Sequence, residues 1–175
     1  MLTSIGRTSK PAGDLVDHLS ECHERIRTFV RIAETTGRRA DLDDASVVDA
    51  CSRCERYFTI ALPLHVADEE KSILPRLLDA AAGFSPEVHQ ALRTMEREHA
   101  EHEPLVRALL EHLALVQAAP AHQEHRAALA RTAAELRAAF GEHLSLEERV
   151  VFPAIRRLEP AVQERIHEEM RERRR

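Results

Sequence analysis

Two short runs of this sequence carry the same metal-binding side chains at the same spacing. His65 is followed by Glu69, Glu70 and Pro75, and His143 by Glu147, Glu148 and Pro153. Both read H-x3-E-E with a proline ten residues after the histidine. On a helix, residues four apart differ by about 40° around the axis and lie one turn apart. Each run can therefore aim an imidazole and a carboxylate at one point. Two further histidines recur, His23 after Cys22 and His99 after Glu98. Seventy-eight residues separate His65 from His143, and 76 separate His23 from His99. The pattern is that of two helical hairpins of one design, their H-x3-E units at comparable heights facing one axis.

Carboxylates on a buried stripe need compensation. An unpaired one costs several kcal/mol, and polar stripe positions on neighbouring helices destabilise a core that holds nothing between them. A pair of divalent or trivalent cations resolves this, with bridging carboxylates neutralising charge and imidazoles filling the outer positions. The lack of thiolates at the repeated positions favours iron or manganese over structural zinc.

The elements that must position these residues are all helical. A first helix opens at Pro11, Ala12, Gly13 and Asp14 and runs to Gly37, read as a C-terminal stop. Asp41 to Asp44 supply caps for a second, which continues to about Ala82 and Gly83. Ser85, Pro86 and Glu87 start a third, with Ser as cap and Pro at the first position. It ends by Pro120, and a fourth runs from about His122 to Leu158. Glu159 and Pro160 begin a short amphipathic tail with Val162, Ile166 and Met170. Pro63, Pro75 and Pro104 fall inside these patterns and predict kinks or local breaks.

The apolar stripes step by three and four: Val16, Leu19, His23, Ile26, Val30 and Ala33 in the first helix. The second, less regular, has Cys51, Cys54, Phe58, Ala61, His65, Glu69 and Ser72. Val88 leads through Met95, His99, His102 and Val106 to Val116 in the third, and Leu129 through Phe140, His143, Glu147 and Val150 to Ala154 in the fourth. No segment alternates with period two. The expectation is an all-α, up-and-down antiparallel four-helix bundle, about 14–158, with a short C-terminal helix, about 160–175, forming one domain over 1–175.

Composition bounds the partners. A net charge of -5 leaves no basic footprint, so nucleic acid is not an expected partner. The run from Arg171 to Arg175 reads as a solvated helix end. No apolar run approaches the roughly 18 residues of a membrane span, and the N-terminus has no signal-like apolar region. With three cysteines, an odd number, this points to the cytoplasm.

The spacing of His23, His65-x3-Glu69, His99 and His143-x3-Glu147, with Leu74-Pro75 and Phe152-Pro153 after the two units, resembles the hemerythrin or HHE cation-binding family over about Asp14 to Leu158. The resemblance implies a four-helix bundle with a non-haem di-iron centre, two iron ions with an oxo or hydroxo bridge. It implies Glu69 and Glu147 as metal bridges, with His23, His65, His99 and His143 as terminal ligands. Oxygen-carrying hemerythrins place two histidines four apart on the third helix; here His99 and His102 are three apart and Glu103 takes the fourth position. The seam turns His102 inward, so it is expected as a fifth imidazole.

Such a centre binds or reacts with oxygen, nitric oxide or peroxide, as a carrier, a sensor or a stress-protective redox protein. The alternatives are an iron-storage or iron-sensing module and a bundle with purely structural metal. No nucleophile or acid–base pair is assignable. His18 lies about 140° from His23 around the helix and is set aside. Cys51 and Cys54 read as small buried hydrophobes, and Tyr57 as a packed aromatic. His89, His112, His122, His125 and His167 are expected in solvent, and Glu70 and Glu148 outside or behind the ligands.

Overall fold

Helix N-caps and apolar stripes divide the described residues into four long helical rods and one short helix. In the computed structural model, which describes residues 14–175, α1 is Leu15–Arg38 and α2 covers 44–79. The third, α3, is Pro86–Ala118, α4 covers 123–155, and α5 is Pro160–Glu172. Pro11, Ala12 and Gly13 of the expected first start, and the N-terminal stretch read for a signal segment, lie outside the described residues. No strand occurs among the described residues. Each rod packs against two neighbours, α1 on α2 and α4, and α3 on the same two, the arrangement of an up-and-down bundle. No helix among the described residues is long and apolar enough to cross a membrane.

The starts of α1 and α2 are built as capping chemistry dictates. Asp14 accepts from the Asp17 N–H at 2.8 Å and Asp43 from the Ser46 N–H at 2.9 Å. Ser85 stands at the cap position of α3 but makes no side-chain bond, leaving Pro86 to set the first turn. Gly37 is not a stop, since α1 continues through Arg38. Its role is close approach. A Cβ there would lie 2.7 Å from both the Ala130 nitrogen and the Arg126 carbonyl oxygen, so α1 can touch the α4 backbone only through glycine.

The rods α2 and α4 are not regular throughout. Three five-residue π-helical turns interrupt them, at Tyr57–Ala61, Glu69–Ile73 and Glu147–Val151. In each, an N–H reaches back five residues: Leu62 to Tyr57, Leu74 to Glu69, and Phe152 to Glu147. A proline follows one position later every time, at Pro63, Pro75 and Pro153. In a regular helix the proline ring collides with the carbonyl four residues back, and a wide turn just upstream relieves that. Pro104 has no such turn, and α3 passes it uninterrupted, contrary to the expected break. A π-turn also inserts one residue, so the buried stripe resumes one position late. Leu62 is therefore buried where Ala61 was expected, and Val151 where Val150 was.

The buried stripes form two apolar clusters. One holds Leu19, Ile73, Leu77, Met95, Phe152 and Ile155, and also takes in Ile166 and Met170 of α5. The other holds Ile26, Val30, Phe58, Leu109, Leu136 and Phe140, with Cys51 and Cys54 among them. Burial pushes these two thiols up to about 11 and about 12, as inert core cysteines require. Tyr57 stacks on Phe29 with ring centres 4.1 Å apart. The polar stripe residues sit at the level where one cluster gives way to the other, as His23 does between Leu19 and Ile26.

The basic end is not a free solvated tail. Asp68 is fully buried, and Arg173 and Arg174 each donate to one of its carboxylate oxygens at 2.6 Å. Glu169 accepts from Ser72 and Arg76, which fastens α5 to α2 a second time.

Candidate metal centre

At the level between the apolar clusters, six side chains from all four rods converge. They comprise two groups of potential ligand atoms, each mutually within 4.8 Å. His23, His65, Glu69 and Glu147 make one; His99, His143, Glu69 and Glu147 make the other. The glutamates belong to both, and each divides its oxygens between them. Glu69 turns Oε1 to His65 Nε2 at 3.1 Å and Oε2 to His99 Nε2 at 3.2 Å. Glu147 turns Oε2 to His23 Nε2 and Oε1 to His143 Nε2, both at 3.2 Å.

These atoms approach without satisfying one another. His23 Nε2, His65 Nε2, His99 Nε2, Glu69 Oε2 and both Glu147 oxygens are buried and have no hydrogen-bond partner. Six orphaned donor and acceptor atoms in one place would each carry a desolvation cost. Their types, imidazole nitrogen and carboxylate oxygen, suit a transition-metal ion, so the residues fit a cation pair.

The outward ring nitrogens are held in turn. His23 Nδ1 lies 2.9 Å from Glu148 Oε1, His99 Nδ1 3.2 Å from Glu70 Oε1, and His143 Nδ1 2.9 Å from Glu98 Oε2. An ionised carboxylate can only accept, so each Nδ1 carries a proton, and it is Nε2 that offers its lone pair inward once the imidazolium proton is displaced. Glu70 and Glu148 are thus supports behind the ligands. Arg27 braces Glu148 from outside. His65 is the exception, its Nδ1 buried without a partner. The repeat explains this, because Cys22 stands in the first hairpin where Glu98 stands in the second.

Charge in the cluster follows from proximity. Burial works against an imidazolium at His23, but Glu147 and Glu69 outweigh it and hold its pKa up to about 10. Burial is likewise overcome at His143 by Glu147, Glu69 and Glu98, which raise it to about 9. At His65 burial prevails and the value falls. Both carboxylates are lowered despite their burial, Glu69 by its histidine neighbours and Glu147 by His143 and His23.

Of the seven residues expected as ligands, six stand in the two groups and His102 in neither. The His102 ring is edge-on to both His143 and Phe140, with centres 5.1 Å apart, and its Nδ1 is buried and unpartnered. His18 pairs with His167 at the α5 contact, so His167 is not simply in solvent. His89 is also engaged, on the Ala81 carbonyl at 3.0 Å. His122 alone of its set is exposed, and its Nδ1 caps α4. Glu98 and Asp68 were missed from sequence. Glu98 was findable as the neighbour of His99 on the side facing the fourth helix; Asp68 has partners only in the distant tail.

The hemerythrin HHE cation-binding domain model matches residues 14–124 of this chain. The match takes in His23, His65, Glu69 and His99 and stops short of His143 and Glu147, so the second H-x3-E unit rests on the internal repeat and the geometry. No curated protein matches the chain.

Proposed function

Because the chain belongs to the hemerythrin HHE cation-binding family, we propose that it is a non-haem di-iron protein that binds or reacts with oxygen, nitric oxide or peroxide. One observation carries the reading: both donor groups include Glu69 and Glu147, each glutamate offering opposite oxygens to the two groups. Two glutamates so placed could each serve both ions. In this reading His23 and His65 are terminal ligands of one ion, and His99 and His143 of the other.

Bound iron would supply a Lewis acid and a ferrous–ferric couple for a small ligand. The chain does the rest. His23 and His65 would hold one ion and His99 and His143 the other, with Glu69 and Glu147 serving both. Glu148, Glu70 and Glu98 fix the imidazoles in one tautomer and raise their basicity. The apolar clusters above and below close the bundle along its axis on either side of the centre. His102 stands edge-on to His143 and, held there, limits how far that ring can turn.

Metal analysis together with the visible spectrum of anaerobically reduced protein, before and after air, tests this reading. About two irons per chain are expected, one for each donor group, with a new visible band on exposure to air. Reversal on deoxygenation means carriage or sensing, and irreversible oxidation means redox turnover. Zinc alone, or no metal, after iron-replete expression overturns the proposal.

A further inference from the structure

A cavity of about 510 Å³ opens between α2 and α3 and ends on the donor cluster, where His65, Glu69, His99 and His143 line it. A water molecule takes about 30 Å³ of liquid, and a diatomic ligand is of similar size. The cavity is far larger. It falls within the roughly 300–1,000 Å³ typical of sites for small organic molecules. Its wall is apolar, formed by Ile26, Phe58, Leu62, Val66, Val106 and Phe140. A passage for a gas needs no such volume.

One polar group interrupts that wall. His102 is 8% exposed and lines the cavity; its Nδ1 is buried, so Nε2 is the ring nitrogen that reaches open space, and no protein group among the described residues bonds to it. Edge-on contacts with Phe140 and His143 restrict its ring. A ligand with one hydrogen-bonding group would satisfy this nitrogen. The mouth sets the charge: Glu70, Glu96 and Glu103 stand there exposed, with Lys71 the one cation beside them. An anionic ligand would meet three carboxylates and then an apolar wall, and both penalise it.

We propose that this cavity binds an uncharged organic molecule with an apolar body and a single hydroxyl or hydroperoxyl head, the head on His102 and the body against the apolar wall. The inference deepens the peroxide reading of the neighbouring centre and rests on it for the hydroperoxyl class: organic hydroperoxides and their alcohols. Phe58 and Phe140 suit an aromatic or branched alkyl body.

The probe is cumyl alcohol, an uncharged and stable relative of an aryl hydroperoxide, measured by equilibrium dialysis against the metal-loaded protein. Saturable binding of one molecule per chain is expected. Val106→Trp fills the cavity and should weaken it about tenfold or more, and His102→Phe, which keeps the volume but removes the nitrogen, by about tenfold. Cumene, which lacks the hydroxyl, should bind the wild type more weakly than the alcohol. Leu62→Phe is the milder filling variant if Val106→Trp does not fold. Absence of saturable binding, or unchanged affinity in a folded filling variant, overturns the proposal. The spectral response to nitric oxide separates the two readings. A filling variant that keeps that response and loses the alcohol supports the cavity. A wild type that binds the alcohol but responds to neither nitric oxide nor peroxide refutes the reading of the centre while leaving the cavity standing.

Discussion

Glu148, in the second hairpin, holds His23 of the first: its Oε1 lies 2.9 Å from His23 Nδ1. The relationship is reciprocal, since Glu70 of the first hairpin holds His99 of the second. In both H-x3-E-E runs the first glutamate faces the cluster and the second reaches across to the other repeat. Adjacent residues thus have separable roles. Glu69→Ala and Glu147→Ala each remove a donor from both groups and should abolish binding of both metals. Glu70→Ala and Glu148→Ala should keep full stoichiometry at saturating metal and lower affinity by roughly 10–100-fold. Metal titration followed by elemental analysis checks this; equal losses from neighbouring glutamates would mean the assigned face is wrong.

His102 and His99 give the second contrast. His99→Ala removes a ring that faces Glu69 and should lose metal. His102 stands outside both donor groups, so His102→Ala should retain metal while changing the visible spectrum and the rate of reaction with peroxide. Loss of one metal ion from His102→Ala would make it a fifth imidazole ligand.

The metal-free protein should depend on pH in a particular window. His23 and His143 are raised above 6.5, to about 10 and about 9. Their stabilising contribution is full below about 6.5 and is lost as pH rises through the folded values. Glu69 and Glu147 are lowered below 4.5, so their contribution is present above that value and lost as pH falls through their folded values. Thermal unfolding of chelator-treated protein should show Tm falling as pH rises from about 6.5 to about 10 and levelling off beyond. Metal must displace the same imidazolium protons, so its affinity should rise with pH. A flat Tm across that range would contradict the charge assignment.

The tail clamp gives a stability prediction. Removing both guanidiniums in Arg173→Ala/Arg174→Ala leaves Asp68 buried and unpaired, at a cost of about 2–3 kcal/mol. This is at or below the lower end of the usual range for a broken buried pair, because both arginines keep part of their surface in water. Adding Asp68→Asn should recover much of the loss, and urea unfolding of the three proteins measures it. No recovery would show that the arginines act through packing.

Gly37→Ala should destabilise by about 1–3 kcal/mol, despite the better helix propensity of alanine, because the new Cβ meets α4 backbone rather than a movable side chain. A rise in Tm would show that α1 and α4 can move apart without cost.

The stripes of α1 and α3 were legible because an uninterrupted helix keeps its phase, and each expected position from Val16 to Ala33 is buried. In α2 and α4 the reading slipped by one at Ala61 and Val150, since a constant step of three or four cannot represent an inserted residue. The prolines marked the places, but as breaks rather than as the sequel to a widened turn. Gly37 was misread because a helix-ending glycine and a helix-crossing glycine look alike without the partner helix. At the centre, repetition identified the inward histidines and glutamates. It could not identify Glu98, whose counterpart is Cys22, nor the pairing of Asp68 with a tail more than a hundred residues away.

The duplicated π-turns bear on ancestry. Glu69–Ile73 and Glu147–Val151 begin at the shared glutamates of both repeats, so one hairpin that already carried the inserted residue, copied once, accounts for both. That hairpin could not have assembled either cation position by itself. Each position takes two histidines from one hairpin and a carboxylate from each. The centre therefore has the stoichiometry of a two-fold homodimer. Two such hairpins in one chain need no partner and are free to differ, as Cys22 and Glu98 do while Glu69 and Glu147 are the same residue type.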